Sequence, residues 1–243
     1  MKNYTDIHTH IIPNIDDGAQ NIEEAQAMLN QAYDDGIRTI IATPHFGIRN
    51  ASYDKMKFNK NLKELQTYAK KNYPDIKIYP GNELFYGPGI FSGLDDNFAC
   101  PLANSKYVLV EFPFETTYDE IFHGIRKFLT SGYIPIIAHV ERYSRFIGSI
   151  DNLEDLVNQG ALVQMNASTI VRELNKNKLS QQFSWPIKAL KRNLVHFIAS
   201  DCHDPKVRTP NISQAAENLT KILTPNQINQ ILYDNPQLII ENK

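Results

Sequence analysis

Cysteine is scarce in this chain of 243 residues, which contains only Cys100 and Cys202. The two lie far apart and form no CxxC motif, so we do not expect a disulfide framework. No apolar run approaches the roughly 20 residues that span a bilayer, and the first ten residues lack the apolar stretch of a signal peptide. These absences predict a cytoplasmic protein without membrane insertion.

A large net charge is also missing. The 25 Lys and Arg residues against 27 Asp and Glu residues give a formal charge of −2, which indicates no nucleic-acid partner. The content of 42% hydrophobic and 21% charged residues is typical of a globular protein with a buried core. Because we find no repeat, low-complexity stretch or linker, we expect a single domain over residues 1–243.

Short apolar runs alternate with longer amphipathic segments along the chain. The runs are continuously apolar, as in strands covered on both faces. The predicted strands are Tyr4–His8, Thr39–Thr43, Ile76–Pro80, Tyr107–Glu111, Ile134–Ala138, Leu162–Met165 and Val195–Ser200. The predicted helices are one from Asn21 to Gly36, which opens with a sequence like a capping box, and then Tyr53–Lys71, Thr117–Ser131, Ile150–Gln159, Gln181–Arg192, Ile212–Ile222 and Pro225–Tyr233.

This alternation predicts an α/β fold in which a parallel sheet closes into a barrel. An open doubly wound sheet is the alternative architecture, although the glycine-rich turn with which it would hold a dinucleotide is missing. In an α/β barrel the active site lies at the carboxyl ends of the strands. We therefore examined the residues that follow each predicted strand.

Six of the seven predicted strands deliver His, Asp or Glu to that rim, and the remaining one, Leu162–Met165, delivers Asn166. Residues two apart in an extended segment point the same way, so the members of an HxH or a DxH pair can share one site. The turn Asp16-Asp17-Gly18 reads alone as an ordinary turn, but beside HxH its second aspartate becomes a candidate ligand. The candidate metal ligands are His8, His10, Asp17, His45, Glu83, Glu111, His139, Asp201 and His203.

A single histidine at a strand end is often structural, so the prediction depends on the coincidence of many. Five of the seven histidines fall at these ends. His123 lies in a helical segment and is expected at the surface, and His196 opens its strand and is expected to be structural, at the opposite rim. Cys202 alternates away from Asp201 and His203, so we expect it to pack in the interior.

Imidazole and carboxylate ligands without thiolate suit Mn²⁺, Fe²⁺ or Zn²⁺. Nine candidates exceed what one ion can use, which predicts two or three ions. Arg142 and Arg208 follow candidate ligands closely and are predicted to bind phosphate oxygens, with Arg145 and Arg49 as weaker candidates. Aromatic residues of the rim loops either line a slot for a flat substrate group or pack the loops: Phe46, Tyr86, Phe91, Phe112, Phe114 and Tyr143.

Six motifs follow one another in the sequence: DIHTHIIPNIDDG at 6–18, TPH at 43–45, GNELF at 81–85, LVEFPF at 109–114, IAHVERY at 137–143 and IASDCH at 198–203. In these motifs the chain resembles the PHP (polymerase and histidinol phosphatase) superfamily. More narrowly, it resembles the bacterial manganese-dependent protein tyrosine phosphatases of capsule loci, the CpsB/CapC type. The resemblance covers almost the whole chain and implies a distorted, TIM-like (β/α)7 barrel with three divalent ions, Mn²⁺ in the first place.

The resemblance also implies how the ligands are shared. The first ion would be held by His8, His10, Glu83 and Asp201, the second by Glu83, Glu111 and His139, and the third by Asp17, His45 and His203. Arg142 and Arg208 match the family's phosphate-binding arginines. The segment Phe46–Arg49 departs from the His- or Arg-rich stretch of several relatives, which leaves the peptide selectivity open.

The implied activity is hydrolysis of phosphotyrosine by a metal-bound hydroxide, which forms at neutral pH because the metal lowers the pKa of water. The implied partner is a tyrosine-phosphorylated protein, a bacterial tyrosine autokinase that controls capsular or exopolysaccharide synthesis. We expect no route through a cysteinyl phosphate. Three alternatives remain: a small-molecule phosphatase of the histidinol-phosphatase type, an amidohydrolase, and a non-enzymatic metal or phosphopeptide binder.

Overall fold

The computed structural model describes residues 3–47 and 53–243, and within them nine strands. The alternation of short apolar runs and amphipathic helices is confirmed, and all strand pairs are parallel. The strands are β1 (Tyr4–Thr9), β2 (Ile37–Ala42), β3 (His45–Phe46), β4 (Lys77–Pro80), β5 (Glu83–Phe85), β6 (Tyr107–Glu111), β7 (Ile134–Ile137), β8 (Leu162–Asn166) and β9 (Phe197–Ala199).

The strands form two hydrogen-bonded sets with the orders β1-β2-β4 and β3-β5-β6-β7-β8-β9. Between the outer strands β1 and β9 the backbone of His10 donates to the Cys202 carbonyl at 2.8 Å, and that of Asp201 donates to the His8 carbonyl at 2.8 Å. A parallel bridge between Thr9 and Cys202 joins the same two edges. The sheet therefore curls, and its first and last strands meet.

Two of the predicted strands are each followed by a second, short strand that the sequence pattern did not predict. The strand predicted over 39–43 ends at Ala42, and a separate strand begins at His45 after Pro44, whose nitrogen cannot donate to a ladder. The strand predicted over 76–80 is followed in the same way by a new one at Glu83. The parallel α/β architecture stands, but the exact (β/α)7 count is not confirmed.

Helices cover the strands. They are α1 (Ile22–Asp34), α2 (Lys55–Asn72), α3 (Ile90–Asp95), α4 (Tyr118–Thr130), α5 (Ser144–Ile147), α6 (Ile150–Asn158), α7 (Ala167–Leu174), α8 (Lys178–Phe183), α9 (Trp185–Lys191), α10 (Ile212–Leu219), α11 (Pro225–Asn229) and α12 (Asn235–Glu241), with a π-helical segment, Gln230–Asp234, between the last two. Short 3₁₀ helices cover Leu102–Asn104 and Val140–Tyr143. None of the helices in the described part of the chain has the length and apolar character needed to cross a membrane.

The caps explain where the helices start. The Asn21 side chain accepts from the backbone of Glu24 at 2.8 Å, as predicted, although the Glu24 carboxylate accepts from Gln20 rather than closing a full capping box. The helix predicted over 181–192 is two helices, because Ser184 ends α8 and caps α9 ahead of Pro186. Helix α7 was missed because it follows β8 directly, with Asn166 as both the last strand residue and the N-cap.

The strands are buried on both faces, which explains their continuous apolar character. Val108 packs in the cluster under the helices, whereas Leu109 belongs to a second cluster inside the curled sheet. The residues of this inner cluster include Tyr107 and Leu109 on β6, and Phe197 and Ala199 on β9. The next residues of the same alternation are Glu111 and Asp201, so the inner face of the sheet leads directly to candidate ligands.

Cys202 and the two histidines outside the candidate set lie as predicted. Cys100 and Cys202 are buried free thiols, and His123 is exposed on α4. His196 precedes β9 at the end opposite to Asp201, and its Nδ1 accepts from the backbone of Val163 at 3.2 Å. The cytoplasmic location and the single domain stay predictions.

We predict that His196 makes folding stability depend on pH. Burial lowers the pKa of His196 to about 4, and protonation would remove the acceptor for Val163. Between about pH 6.5 and pH 4 the unfolded chain therefore binds a proton at this position that the folded chain excludes, so stability falls as the pH falls. In urea unfolding from pH 7 to pH 4.5, the free energy of unfolding of H196Q should fall less steeply with falling pH than that of the wild type. The difference in slope should correspond to at most about one bound proton. The other buried histidines contribute equally to the pH dependence of the wild type and of H196Q, so the comparison isolates His196. H123Q, at an exposed position, is the control. The wild-type slope in H196Q would contradict the assignment.

Candidate metal centre

The nine predicted ligands converge at one rim of the sheet, where seven lie at or beyond the carboxyl ends of β1, β6, β7 and β9 and two, His45 and Glu83, begin β3 and β5. Eight of them fall into three overlapping groups whose ligand atoms lie within 4.8 Å of one another. The ninth, His139, joins through its Nε2, which lies 2.8 Å from Glu83 Oε1. The groups are His8, His10 and Asp201; His45, Glu83 and Glu111; and His10, Asp17, His45 and His203.

The first group, together with Glu83, has distances between ligand atoms that are typical of a metal site. His8 Nε2 lies 3.3 Å from His10 Nε2, 3.3 Å from Glu83 Oε2 and 3.4 Å from Asp201 Oδ1. His10 Nε2 lies 3.3 Å from the same Glu83 oxygen and 3.6 Å from the same Asp201 oxygen. Ligand atoms placed tetrahedrally about 2.1 Å from an ion are about 3.4 Å apart, so His8 and His10 have the spacing of ligands that share one divalent cation with either carboxylate.

Glu83 connects the groups, because both of its oxygens face imidazoles. Oε2 lies 3.0 Å from His45 Nδ1 in addition to its contacts with His8 and His10, while Oε1 faces His139. Glu111 lies behind it, fully buried, with its oxygens 3.6 Å from His139 Nε2 and 3.9 Å from His45 Nδ1. A carboxylate in this central position can bridge two cations.

The outermost group opens to solvent through Asp17, whose side chain is 64% exposed. Its Oδ1 lies 3.5 Å from His45 Nε2 and 3.6 Å from His203 Nε2. His45 and His203 are themselves buried. The choice of Asp17 over Asp16 as the candidate ligand therefore agrees with the geometry.

Asp16 holds the ligands instead, a role that the sequence did not reveal. Its Oδ2 lies 2.6 Å from His10 Nδ1 and accepts from the backbone of His45 at 2.8 Å. A carboxylate only accepts, so His10 carries its hydrogen on Nδ1 and turns the other nitrogen to the centre. Gly18 keeps this turn close to the strand, since a Cβ there would lie 2.1 Å from the His10 carbonyl oxygen.

Asp6 was also missed. Its Oδ1 accepts from the backbone of Ser200 at 3.0 Å and its Oδ2 from the Ser200 hydroxyl at 2.5 Å, which joins β1 to the end of β9. Burial raises the pKa of Asp6 to about 6. Its position two residues before His8, on the same side of an extended segment, is the sequence signal that could have identified it.

Two candidate ligands have a left-handed backbone although neither is glycine. His139 has φ 32° and Asp201 has φ 53°. Such conformations are uncommon for residues with a Cβ and cluster at functional sites. The chain leaves β7 and β9 through these residues, and the sharp change of direction turns both side chains into the centre.

Positive charge is favoured in the middle of the centre. Burial alone would lower the pKa of His8 and of His10, but the facing carboxylates outweigh it and raise both. Burial likewise opposes ionisation of Glu83 and Asp201, yet the surrounding imidazoles hold the pKa of each carboxyl below its usual range. The carboxylates are thus ionised, as a site for divalent cations requires.

Both predicted arginines reach the edge of the centre. Arg142 Nη2 lies 2.6 Å and Arg208 Nη2 2.7 Å from the same oxygen of Asp201, Oδ2. Their side chains are 31% and 39% exposed, so each guanidinium lies between the buried cluster and solvent. Of the weaker candidates, Arg49 and the side chain of Arg145 lie outside the described residues, as do Ile48 and Arg49 of the divergent segment.

Most of the rim aromatics pack the loops. Phe46, Phe112 and Tyr143 are buried, and the Tyr143 hydroxyl donates to the Phe112 carbonyl at 2.9 Å and accepts from its backbone nitrogen at 3.1 Å. Tyr86 and Phe91 are partly buried against the core. Phe114 differs, being 46% exposed with its ring 6.5 Å from that of Tyr143.

Cys202 takes no part in the centre because its thiol is buried. Five residues separate it from Arg208, the spacing of the Cys-x5-Arg loop of cysteine-dependent phosphatases, so spacing alone does not exclude that route. The thiol is 1% exposed, and burial raises its pKa far above the ordinary value. A nucleophilic cysteine needs an accessible thiolate, so Cys202 packs as predicted.

We predict that loss of the Glu83 charge removes more metal than loss of the Asp17 charge. E83Q withdraws a carboxylate that faces four imidazoles, whereas D17N changes one exposed ligand of the outermost group. After loading with Mn²⁺ and gel filtration, E83Q should lose more than one ion per chain by elemental analysis and D17N no more than one. E64Q, the same change at an exposed site on α2, is the control. Wild-type metal content in E83Q would contradict a bridging role.

Comparison with known proteins identifies the family of this chain. The sequence model of the family described as "Capsular polysaccharide synthesis, CpsB/CapC" matches residues 4–241. The chain is 30% identical over 240 residues to the tyrosine-protein phosphatase CpsB of Streptococcus agalactiae, covering 98% of both chains. It is 36% identical over 203 residues to the putative tyrosine-protein phosphatase CapC of Staphylococcus aureus, covering 82% of this chain and 76% of that one.

A solved structure agrees with both. A chain from the crystal structures of YwqE from Bacillus subtilis and CpsB from Streptococcus pneumoniae, described as unique metal-dependent tyrosine phosphatases, matches with a TM-score of 0.86 at 30% identity. The match covers 98% of this chain and 95% of that chain. The chain therefore belongs to the CpsB/CapC family of capsular polysaccharide synthesis.

Proposed function

We propose that this chain is a metal-dependent protein-tyrosine phosphatase. The observation that carries the proposal is the meeting of Arg142 and Arg208 on one oxygen of Asp201, at the solvent edge of a buried cluster of imidazoles and carboxylates. Two guanidinium groups beside a cation site are suited to a phosphate dianion. The names of the relatives, tyrosine phosphatases in each case, give the same reaction.

The residues present fit three divalent ions, with Mn²⁺ preferred and Fe²⁺ or Zn²⁺ also suited to imidazole and carboxylate ligands. The contacts between side chains within the ligand sets implied by the family resemblance, 2.8–3.6 Å between facing ligand atoms, support this proposal. When bound, such ions provide a nucleophilic water of lowered pKa and neutralise charge on the phosphate. The sets are His8, His10, Glu83 and Asp201; Glu83, Glu111 and His139; and Asp17, His45 and His203.

The protein's own contribution is binding and orientation. Arg142 and Arg208 hold the phosphate oxygens that point to solvent, where charge spreads as the ester bond breaks. Asp201 keeps both guanidinium groups in place before the substrate arrives, which lowers the cost of organising them. A phenol with a pKa of about 10 leaves more easily than an alkyl alcohol, so the proposal needs no general acid.

The open mouth of the site favours a protein substrate over a small metabolite. Asp17 and both arginines are partly exposed, and Phe114 presents an apolar ring at the same rim. A phosphotyrosine on a protein tail can reach such a site, whereas histidinol phosphate would leave much of the rim unused. We further propose a cytoplasmic enzyme that acts on a bacterial tyrosine autokinase and regulates capsular or exopolysaccharide synthesis.

We predict that hydrolysis of phosphotyrosine requires the divalent ions. Removal of metal with a chelator should abolish phosphate release from a phosphotyrosyl peptide, and added Mn²⁺ should restore it, because the proposed nucleophile is a water whose pKa the ions lower. The same assay should give far slower release from a phosphoseryl peptide and from histidinol phosphate. Release without metal, or preference for either alternative substrate, would reject the proposal.

We predict that each arginine at the edge of the centre is needed for turnover. R142A or R208A should lower kcat/KM for the phosphotyrosyl peptide by roughly 100-fold, the usual cost of losing one charge-stabilising donor. Metal content, measured on the same samples, should stay at the wild-type level. R172A removes an arginine that is 63% exposed on α7 and is the matched control; wild-type kcat/KM in both variants would remove the basis for a phosphate site.

A further inference from the structure

Two buried amides lie beneath the metal centre, outside the set of candidate ligands. Gln164 and Asn166 are on β8, with exposures of 0% and 5%. They are the two polar residues of β8, beside Leu162, Val163 and Met165, and a buried amide must find hydrogen-bond partners. The partners of Gln164 are two candidate ligands, His8 and His139, and Asn166. These contacts determine which end of each amide group donates and which accepts.

A backbone group fixes that direction. The amide nitrogen of His139 donates to Gln164 Oε1 at 2.7 Å, and a backbone N–H can only donate. Gln164 must therefore turn its own NH₂ group to Asn166, where it donates to Oδ1 at 2.8 Å. Asn166 in turn donates through Nδ2 to Asp201 Oδ2 at 2.8 Å. Rotating either amide by half a turn would place two donors or two acceptors face to face.

The same oxygen of Gln164 fixes the form of His8. His8 Nδ1 lies 3.2 Å from Oε1, and since a carbonyl oxygen only accepts, Nδ1 carries the ring hydrogen. His8 Nε2 is left with its lone pair, and it faces Glu83 Oε2 at 3.3 Å and Asp201 Oδ1 at 3.4 Å. This is the form in which an imidazole binds a cation.

Asn166 sorts the two oxygens of Asp201. Oδ2 receives Asn166 together with Arg142 and Arg208. Oδ1 is left facing the imidazoles, at 3.4 Å from His8 Nε2, 3.6 Å from His10 Nε2 and 3.5 Å from His203 Nδ1. One carboxylate oxygen thus serves the cation side of the site and the other serves the arginines.

We infer that Gln164 is a positioning residue of the metal centre, which sets the His8 tautomer directly and the orientation of Asp201 through Asn166. The inference rests on the proposed function only in that the centre binds divalent ions. A glutamate at 164 could still accept from His139 and His8 but could not donate to Asn166. A methionine of similar length could do neither, so the two substitutions separate the two halves of the role.

The test is Mn²⁺ affinity, measured by the paramagnetic resonance of free Mn²⁺ during titration of metal-free protein. Q164M should bind about 10- to 100-fold more weakly, the usual cost of losing a partner of a metal ligand. Q66M removes a glutamine on α2 that donates to the Ile78 carbonyl at 2.8 Å and should bind as the wild type does. Wild-type affinity in Q164M would overturn the inference.

A spectroscopic signature separates positioning from a general loss of structure. In Zn²⁺-loaded protein with ¹⁵N-labelled histidine, the metal on Nε2 leaves the ring proton of His8 on Nδ1 in every variant. In the wild type and in Q164E this proton should show the downfield shift of a hydrogen-bonded proton, and Q164M, which offers no acceptor, should lose that downfield shift. Its persistence in Q164M would also overturn the inference. If Q164M does not fold, N166A decides: it should keep the His8 signal but bind Mn²⁺ more weakly, and unchanged affinity would refute the connection to Asp201. The proposed function is tested separately. If the variants differ from the wild type in this way but the wild type does not hydrolyse phosphotyrosine, the proposed function is rejected and the positioning role stands.

Discussion

Three carboxylates buried side by side are the constraint on which the rest of this structure depends. Glu83, Glu111 and Asp201 are each no more than 3% exposed, and like charges repel strongly where water is excluded. Carboxylates buried in this way are tolerated only when positive or hydrogen-bonding groups surround them. Imidazoles provide that surrounding on the inside, and two guanidinium groups provide it toward solvent. The folded state therefore already contains the charge pattern that a cluster of divalent cations needs.

The fold meets this constraint by delivering side chains to a common rim from six of its described strands, β1, β3, β5, β6, β7 and β9. That delivery needs abrupt changes of direction, and the left-handed residues His139 and Asp201 make two of them at a cost of about 1–3 kcal/mol each. The cost is sustainable because the strands beneath are buried on both faces, with the inner cluster directly below Glu111 and Asp201. Rigid strands support a strained rim, which is also what a preorganised site requires.

Much of the centre followed from the sequence because one topological rule was sufficient. Carboxyl ends of parallel strands meet, so any ligand type at such an end is a candidate whatever its rotamer. The same rule separated His196, at the opposite end, from His8 and His139. It failed where the backbone departs from a uniform strand: the prediction placed His45 after one strand over residues 39–43, but β2 ends at Ala42, Pro44 interrupts the ladder, and His45 begins a strand of its own.

What the sequence could not show is which polar group faces which. Asp16 and Asp17 are adjacent and chemically identical, yet the turn buries one against His10 and exposes the other to solvent. Cys202 and Arg208 have the spacing of a different phosphatase chemistry, and only the burial of the thiol excludes it. Gln164 is the clearest example, because its hydrogen-bond partner His8 is 156 positions away in the sequence. Spacing restricts what a residue can reach, whereas burial and hydrogen-bond direction determine what it does there.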